Sequence, residues 1–194
     1  YIFLVIDRSG SLAGDRLTNA KAAAINFINT LLPDGNTTTR IGIVSFATDV
    51  TINHGLAGAT SRGALISAVN GLQAVGGTFT QGGMHQARLM LGSSTADMKS
   101  IVLLSDGQPT FSCEIDYAYR MDTANLQPFD DGWETRTDTP ENMYNCNNRV
   151  GNGSNLRQRY DNPGGTANDK WYHNGNSAIA EAGFAKASGY TVYT

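Results

Sequence analysis

Unbroken apolar runs alternate along the chain with stretches of helical periodicity. Residues 1–6, Tyr1-Ile2-Phe3-Leu4-Val5-Ile6, are apolar without alternation, the mark of a strand buried on both faces. Residues 41–46 and 100–105 read the same way. Between them, residues 16–32 place Leu17, Ala20, Ala24, Phe27, Ile28 and Leu31 at three- and four-residue steps, a helix stopped by Pro33-Asp34-Gly35. Residues 60–72, with Leu65, Ile66, Val69 and Leu72, and residues 80–91, with Met84, Ala87 and Leu91, predict two more helices. Residues 176–188 predict a fourth, closed by Gly189. Residues 49–53 predict a short edge strand, and residues 190–194 the start of a further strand. Strands alternating with helices imply an α/β fold: a doubly wound, mostly parallel sheet with helices on both faces.

Residues 111–173 break the alternation. So long a stretch without clear periodicity is commonly functional or disordered. It holds both tryptophans, Trp133 and Trp171, and ten acidic residues against six basic ones. Disordered segments are poor in aromatics, so an ordered lobe inserted after the fourth strand is expected. The whole chain, 1–194, then reads as one domain carrying the lobe 111–173. It begins inside a strand, so its ends are expected to be fragment edges, and the lack of a leader says nothing about secretion.

The chemistry gathers where strands end. Asp7-Arg8-Ser9-Gly10-Ser11 follows the first apolar run, Ser105-Asp106-Gly107 follows the fourth strand, and Gly76-Gly77-Thr78 lies between them. In parallel sheets ligands bind at the carboxyl ends of strands, near the point where strand order reverses. Each cluster alone would be an ordinary polar cap. Three in this order bring carboxylate and hydroxyl oxygens together, a set suited to a hard divalent cation, Mg²⁺ first and Mn²⁺ or Ca²⁺ next. Gly76-Gly77 reads as a close approach that delivers Thr78.

The pattern Asp-x-Ser-x-Ser, then Thr, then Asp-Gly resembles the metal-ion-dependent adhesion site of von Willebrand factor type A domains. That resemblance covers the chain apart from the insertion. It implies sheet order 3-2-1-4-5-6 and a chain that stops before the family's C-terminal elements. It further implies metal residues Asp7, Ser9, Ser11, Thr78 and Asp106. Ser9 and Ser11 would bind directly, Thr78 directly in the ligand-ready form, and Asp7 and Asp106 mostly through water. Hydroxyls neutralise little of the ion's charge, which leaves it electrophilic toward an outside Asp or Glu carboxylate. If Asp106 bound directly, that attraction would weaken, a basis for two affinity states. The long insertion after Asp106-Gly107-Gln108-Pro109-Thr110 resembles the arm-bearing domains of bacterial pilus-associated adhesins. The implied role is adhesion at an extracellular surface or pilus. The implied partners are host extracellular-matrix proteins or glycans, and other pilus subunits. An intracellular type A domain docking a partner subunit in an assembly or chelatase machine is the alternative.

Composition narrows these readings. Net charge is −3 with no basic block, which argues against nucleic acid. No apolar run approaches the ~18 residues of a membrane span. Charged residues make up 16%, below the usual ~25%. The two cysteines, Cys113 and Cys146, are either buried free thiols or one disulfide. Their polar, loop-like surroundings favour the disulfide, and with it a compartment outside a reducing cytosol. No phosphate loop or Gly-x-Ser-x-Gly elbow occurs, and hydroxyl-rich ligation is poor at activating water, so no enzyme is expected. His85 is expected to be a partly buried structural histidine. Asn36-Thr37-Thr38 and Asn152-Gly153-Ser154 match the glycan acceptor pattern.

Overall fold

The computed structural model describes residues 1–115, 121–122, 140–154, 157–160 and 170–194. A five-stranded sheet forms the centre, in the order β10 (Thr191–Tyr193), β4 (Ser100–Leu104), β1 (Ile2–Asp7), β2 (Ile41–Phe46) and β3 (Val50–Ala57). Strands β10, β4, β1 and β2 are parallel, and β3 returns antiparallel at the edge. The fold class read from the sequence is therefore the one observed. Strand β1 lies between β2 and β4, so Asp7 and the chain beyond Leu104 emerge at neighbouring carboxyl ends.

The two faces of the sheet carry separate apolar layers. Leu4, Ile6, Ile41 and Ile43 pack with Ala24 and Ile28 of α1 (Asp15–Leu31) and Leu65 and Val69 of α2 (Arg62–Asn70). Phe3, Val5, Val44, Phe46 and Ile101 pack with Met84, Ala87 and Leu91 of α3 (Thr80–Gly92) and Ala178 and Ala185 of α4 (Asn174–Ala187). Gly42 lies opposite Phe3 in register, and a Cβ there would come within 2.3 Å of the Phe3 ring. The largest side chain of β1 thus fits only because its neighbour has none. Arg62 closes the far end of α1, donating to the Leu32 carbonyl at 2.7 Å and pairing with Asp34.

Strand β3 runs to Ala57, four residues beyond the expected end. Its alternation is masked because it is an exposed edge carrying Asn53, His54 and Gly55. Helix α2 is shorter than its apolar spacing suggested, because a 3₁₀ turn occupies Ala59–Ser61.

The larger correction concerns the residues after Thr110. Phe111–Ile115 form strand β5, paired antiparallel with β7 (Tyr144–Gly151). The expectation of polar, loop-like surroundings fails there. Cys113 is fully buried and clusters with Phe79 and Phe111, bordered by Val50, Tyr144 and Cys146. The backbone N–H of Cys113 donates to the buried Oε1 of Gln81 on α3. Cys113 and Cys146 are nevertheless joined in a disulfide. A second small sheet has β9 (Lys170–His173) between β6 (Met121–Asp122) and β8 (Arg157–Tyr160). The expectation of one ordered lobe across 111–173 falls partly on residues outside the described set, Trp133 among them.

Candidate functional site

Asp7 ends β1 at full burial, and the chain turns immediately. Its Oδ1 accepts the Ser9 backbone N–H at 2.7 Å, an Asx-type turn that folds the loop back over the strand end. Its Oδ2 accepts the Ser105 hydroxyl at 2.6 Å, which locks the end of β1 to the end of β4. The Ser9 and Ser11 hydroxyls lie 2.9 Å apart. Ser11 Oγ donates to Asp106 Oδ1 at 3.3 Å.

Thr78 arrives from a separate loop, held at both ends. Gly10 N–H donates to the Gly76 carbonyl at 2.9 Å, and Val75 N–H to the Arg8 carbonyl at 2.8 Å. Gly76 has φ of +70°, and a Cβ there would strike Thr48 Oγ1 at 2.4 Å, so only glycine suits the approach. Thr78 N–H donates to Thr110 Oγ1 at 2.8 Å, and the Thr78 carbonyl accepts from Thr110 N–H at 2.8 Å and Phe111 N–H at 3.1 Å. The peptide of Thr78 is thereby fixed by the residues that lead into β5.

Gly107 shows that these groups converge. A Cβ at that position would stand 3.5 Å from Ser11 Oγ and 3.8 Å from both Asp7 Oδ2 and Thr78 Oγ1. Oxygens from two loops therefore stand within 3.8 Å of one point beside the third loop, which carries Gly107. The structure brings together Asp7, Ser9, Ser11, Thr78 and Asp106. The sequence pattern includes Ser105, Gly107 and Thr110 but gives them no supporting role, and it passes over Arg16 altogether. Arg16 Nη1 pairs with Asp106 Oδ2 at 2.9 Å. No pattern marks Arg16, which simply falls in the first turn of α1.

Burial pushes the Asp7 carboxyl above the usual carboxylate range, and the nearby charge of Asp106 adds to this; hydrogen bonds from Ser105 and Ser9 oppose it. A buried carboxylate beside a second one is a site that a cation would relieve. Among the described residues no group of three or more His, Cys, Asp and Glu side chains could hold a metal. The set here differs: three hydroxyls and two carboxylates, all hard oxygen, suited to Mg²⁺ rather than zinc.

His85 is partly exposed, with Nδ1 3.4 Å from Glu181 Oε2 on α4. Of the two sequons, Asn36 Oδ1 accepts the N–H groups of Thr38 and Thr39, and Asn152 Oδ1 that of Ser154, so both shape turns. Among the described residues no helix is long and apolar enough to cross a membrane.

The chain is 31% identical to the minor fimbrium subunit Mfa5 of Porphyromonas gingivalis over an alignment of 237 residues. The match covers 100% of this chain and 19% of that protein. Among solved structures, the vWF domain of the type V pili tip protein Mfa5 from the same organism superposes with a TM-score of 0.80 at 27% identity. That match covers 98% of this chain and 78% of the other. The pilus adhesin SpaC of Lactobacillus rhamnosus GG, in an open conformation, gives a TM-score of 0.71 at 25% identity, covering 98% of this chain and 23% of that one. The family model described as von Willebrand factor type A domain matches residues 2–143. With the parallel sheet, its helical layers and this match in agreement, the chain belongs to the von Willebrand factor type A domain family.

Proposed function

We propose that this domain is a metal-dependent adhesion module of a bacterial pilus or surface adhesin. Its ligand would be a carboxylate-bearing host matrix protein or glycan, with other pilus subunits as neighbours. The carrying observation is the convergence of Asp7 Oδ2, Ser11 Oγ and Thr78 Oγ1 around the open face of Gly107. Ser9, Ser11 and Thr78 would hold Mg²⁺, with Mn²⁺ or Ca²⁺ as substitutes, while Asp7 and Asp106 balance its charge. When bound, the cation supplies an electrophilic position for an outside carboxylate. The protein's part is to hold the hydroxyls in place: Asp7 fixes the Ser9 turn, and Thr110 fixes Thr78. Both oxygens of Asp7 are already engaged, by Ser9 N–H and Ser105 Oγ, which suits a binding role better than that of a general base.

The relatives support the pilus setting, since the similar proteins are a fimbrial subunit and pilus adhesins. The disulfide favours an extracellular location over the intracellular alternative. Calorimetry with Mg²⁺ tests the site. Asp106→Ala should weaken binding by more than about tenfold, the scale of one lost charged partner. Thr78→Ala should weaken adhesion to a carboxylate ligand more than it weakens Mg²⁺ binding, and EDTA should abolish that adhesion. A wild-type protein that binds no Mg²⁺ sinks the reading, and adhesion that persists in EDTA moves the binding surface elsewhere.

A further inference from the structure

Arg16 belongs to neither the sequence motif nor the donor set, yet it stands against both. It is the second residue of α1. Its side chain is 67% exposed, and Nη1 donates to Asp106 Oδ2 at 2.9 Å and reaches the Ser11 carbonyl at 3.5 Å. The other oxygen of Asp106 accepts from Ser11 Oγ. One carboxylate is therefore shared between a fixed positive charge and the hydroxyl cluster.

Two effects follow from that sharing. A divalent ion among the hydroxyls and a guanidinium one carboxylate away repel each other. The same guanidinium, mostly exposed, offers an incoming anion a second cation beside the first. Resting on the cation reading above, we propose that Arg16 is a positioning residue that trades metal affinity for ligand affinity. It draws the charge of Asp106 away from the ion, keeping the ion electrophilic, and it anchors the incoming carboxylate. Exposed pairs of this kind add little to stability, so its removal should alter binding without altering the fold.

The signature is a pair of opposite changes. Removing the charge should tighten Mg²⁺ binding while loosening carboxylate capture. An ordinary structural ion pair would move both the same way or neither. Calorimetry with Mg²⁺ on wild type, Arg16→Gln and Arg16→Lys reads the first change, with thermal melts confirming the fold. Arg16→Gln should bind Mg²⁺ about fivefold more tightly at low ionic strength, and the gain should shrink above about 0.15 M salt, where screening reaches ~8 Å. For the second change, acetate is the probe and Mn²⁺ the bound ion, read by broadening of the acetate methyl resonance at equal Mn²⁺ occupancy. Arg16→Gln should reduce that broadening by about threefold or more, and Arg16→Lys, which keeps the charge, should restore most of it. Arg16→Gln that is folded and binds Mg²⁺ no more tightly than wild type overturns the proposal, as does undiminished acetate broadening. If wild type itself binds no Mg²⁺, the cation reading falls first, an outcome distinct from a wild type that binds and a variant that gains nothing.

Discussion

Asp7 carries the clearest conflict between stability and function in the chain. Its carboxyl is buried at a strand end, and burial raises its pKa above the ordinary value in the folded protein. The folded state then binds this proton more tightly than the unfolded state does. The stabilisation from this group is complete below the ordinary carboxylate pKa and is lost as pH rises through the raised, folded one. Without a cation, the folded domain therefore holds the ionised form of this carboxyl at a cost. Asparagine could take the Ser9 N–H on its oxygen and offer its amide to Ser105. In EDTA at pH 7, Asp7→Asn should be at least as stable as wild type to urea. Added Mg²⁺ should then stabilise wild type by about 2.7 kcal/mol at a hundredfold excess over Kd, and the variant by almost nothing. Equal Mg²⁺ stabilisation of the two proteins would falsify the role given to Asp7. The nearness of the five candidate residues was legible because each stands beside a readable element. The supporting roles of Ser105, Thr110 and Arg16 were not, since they act through partners 98, 32 and 90 residues away in sequence.

At the scale of elements, strands buried on both faces declared themselves by composition, while β5 escaped notice. Its sequence, Phe111-Ser112-Cys113-Glu114-Ile115, does alternate apolar and polar positions. Five residues of alternation are a weak signal beside a long polar stretch, and Ser112 is buried as well. Burial changes what the disulfide is expected to do. A bond across an outlying loop would loosen only that loop. Here Cys113 is pinned to Gln81 on α3, and its strand begins next to Thr110, which holds the Thr78 peptide. Gly77 reinforces this link, because a Cβ there would come within 2.6 Å of the Phe111 ring and 3.0 Å of Gly153. For a separation of 33 residues, the chain-entropy account gives a stabilisation of about 3–4 kcal/mol. Reduction should therefore increase amide exchange at Cys113 and at Thr78 together, while β1 and β2 stay protected. Exchange by mass spectrometry decides this: faster exchange in 140–154 with Thr78 unaffected would show that the hairpin and the site are independent.

Across the whole molecule, the site is a consequence of strand order. Placing β1 between β2 and β4 sets Asp7 beside the loop carrying Asp106, and the first crossover returns through α1, whose first turn supplies Arg16. Helical and strand periodicity made that topology readable in advance. It left unreadable how Glu141 and α4 are tied to α3, because ion pairs join the apolar contacts there and no periodic pattern marks them. Arg88 of α3 is nearly buried and pairs with Glu181 of α4 at 2.6 Å and with Glu141, ahead of β7, at 2.8 Å. The guanidinium also lies 5.9 Å from the centre of the Phe184 ring. Glu181 is 1% exposed, whereas the Glu141 side chain is 54% exposed, so the two pairs should differ greatly in value. Arg88→Met would leave Glu181 charged, buried and without its guanidinium, and should cost about 3–5 kcal/mol. Glu141→Gln leaves the buried pair intact and should cost under about 1 kcal/mol. Replacing both members, Arg88→Met with Glu181→Leu, should recover much of the loss, since no lone charge then remains inside. Urea unfolding of these variants, with Glu181→Leu alone to complete the cycle, measures this directly. Additive losses in the double variant would mean that Arg88 and Glu181 act separately, and that the seam between α3 and α4 is held by its apolar contacts alone.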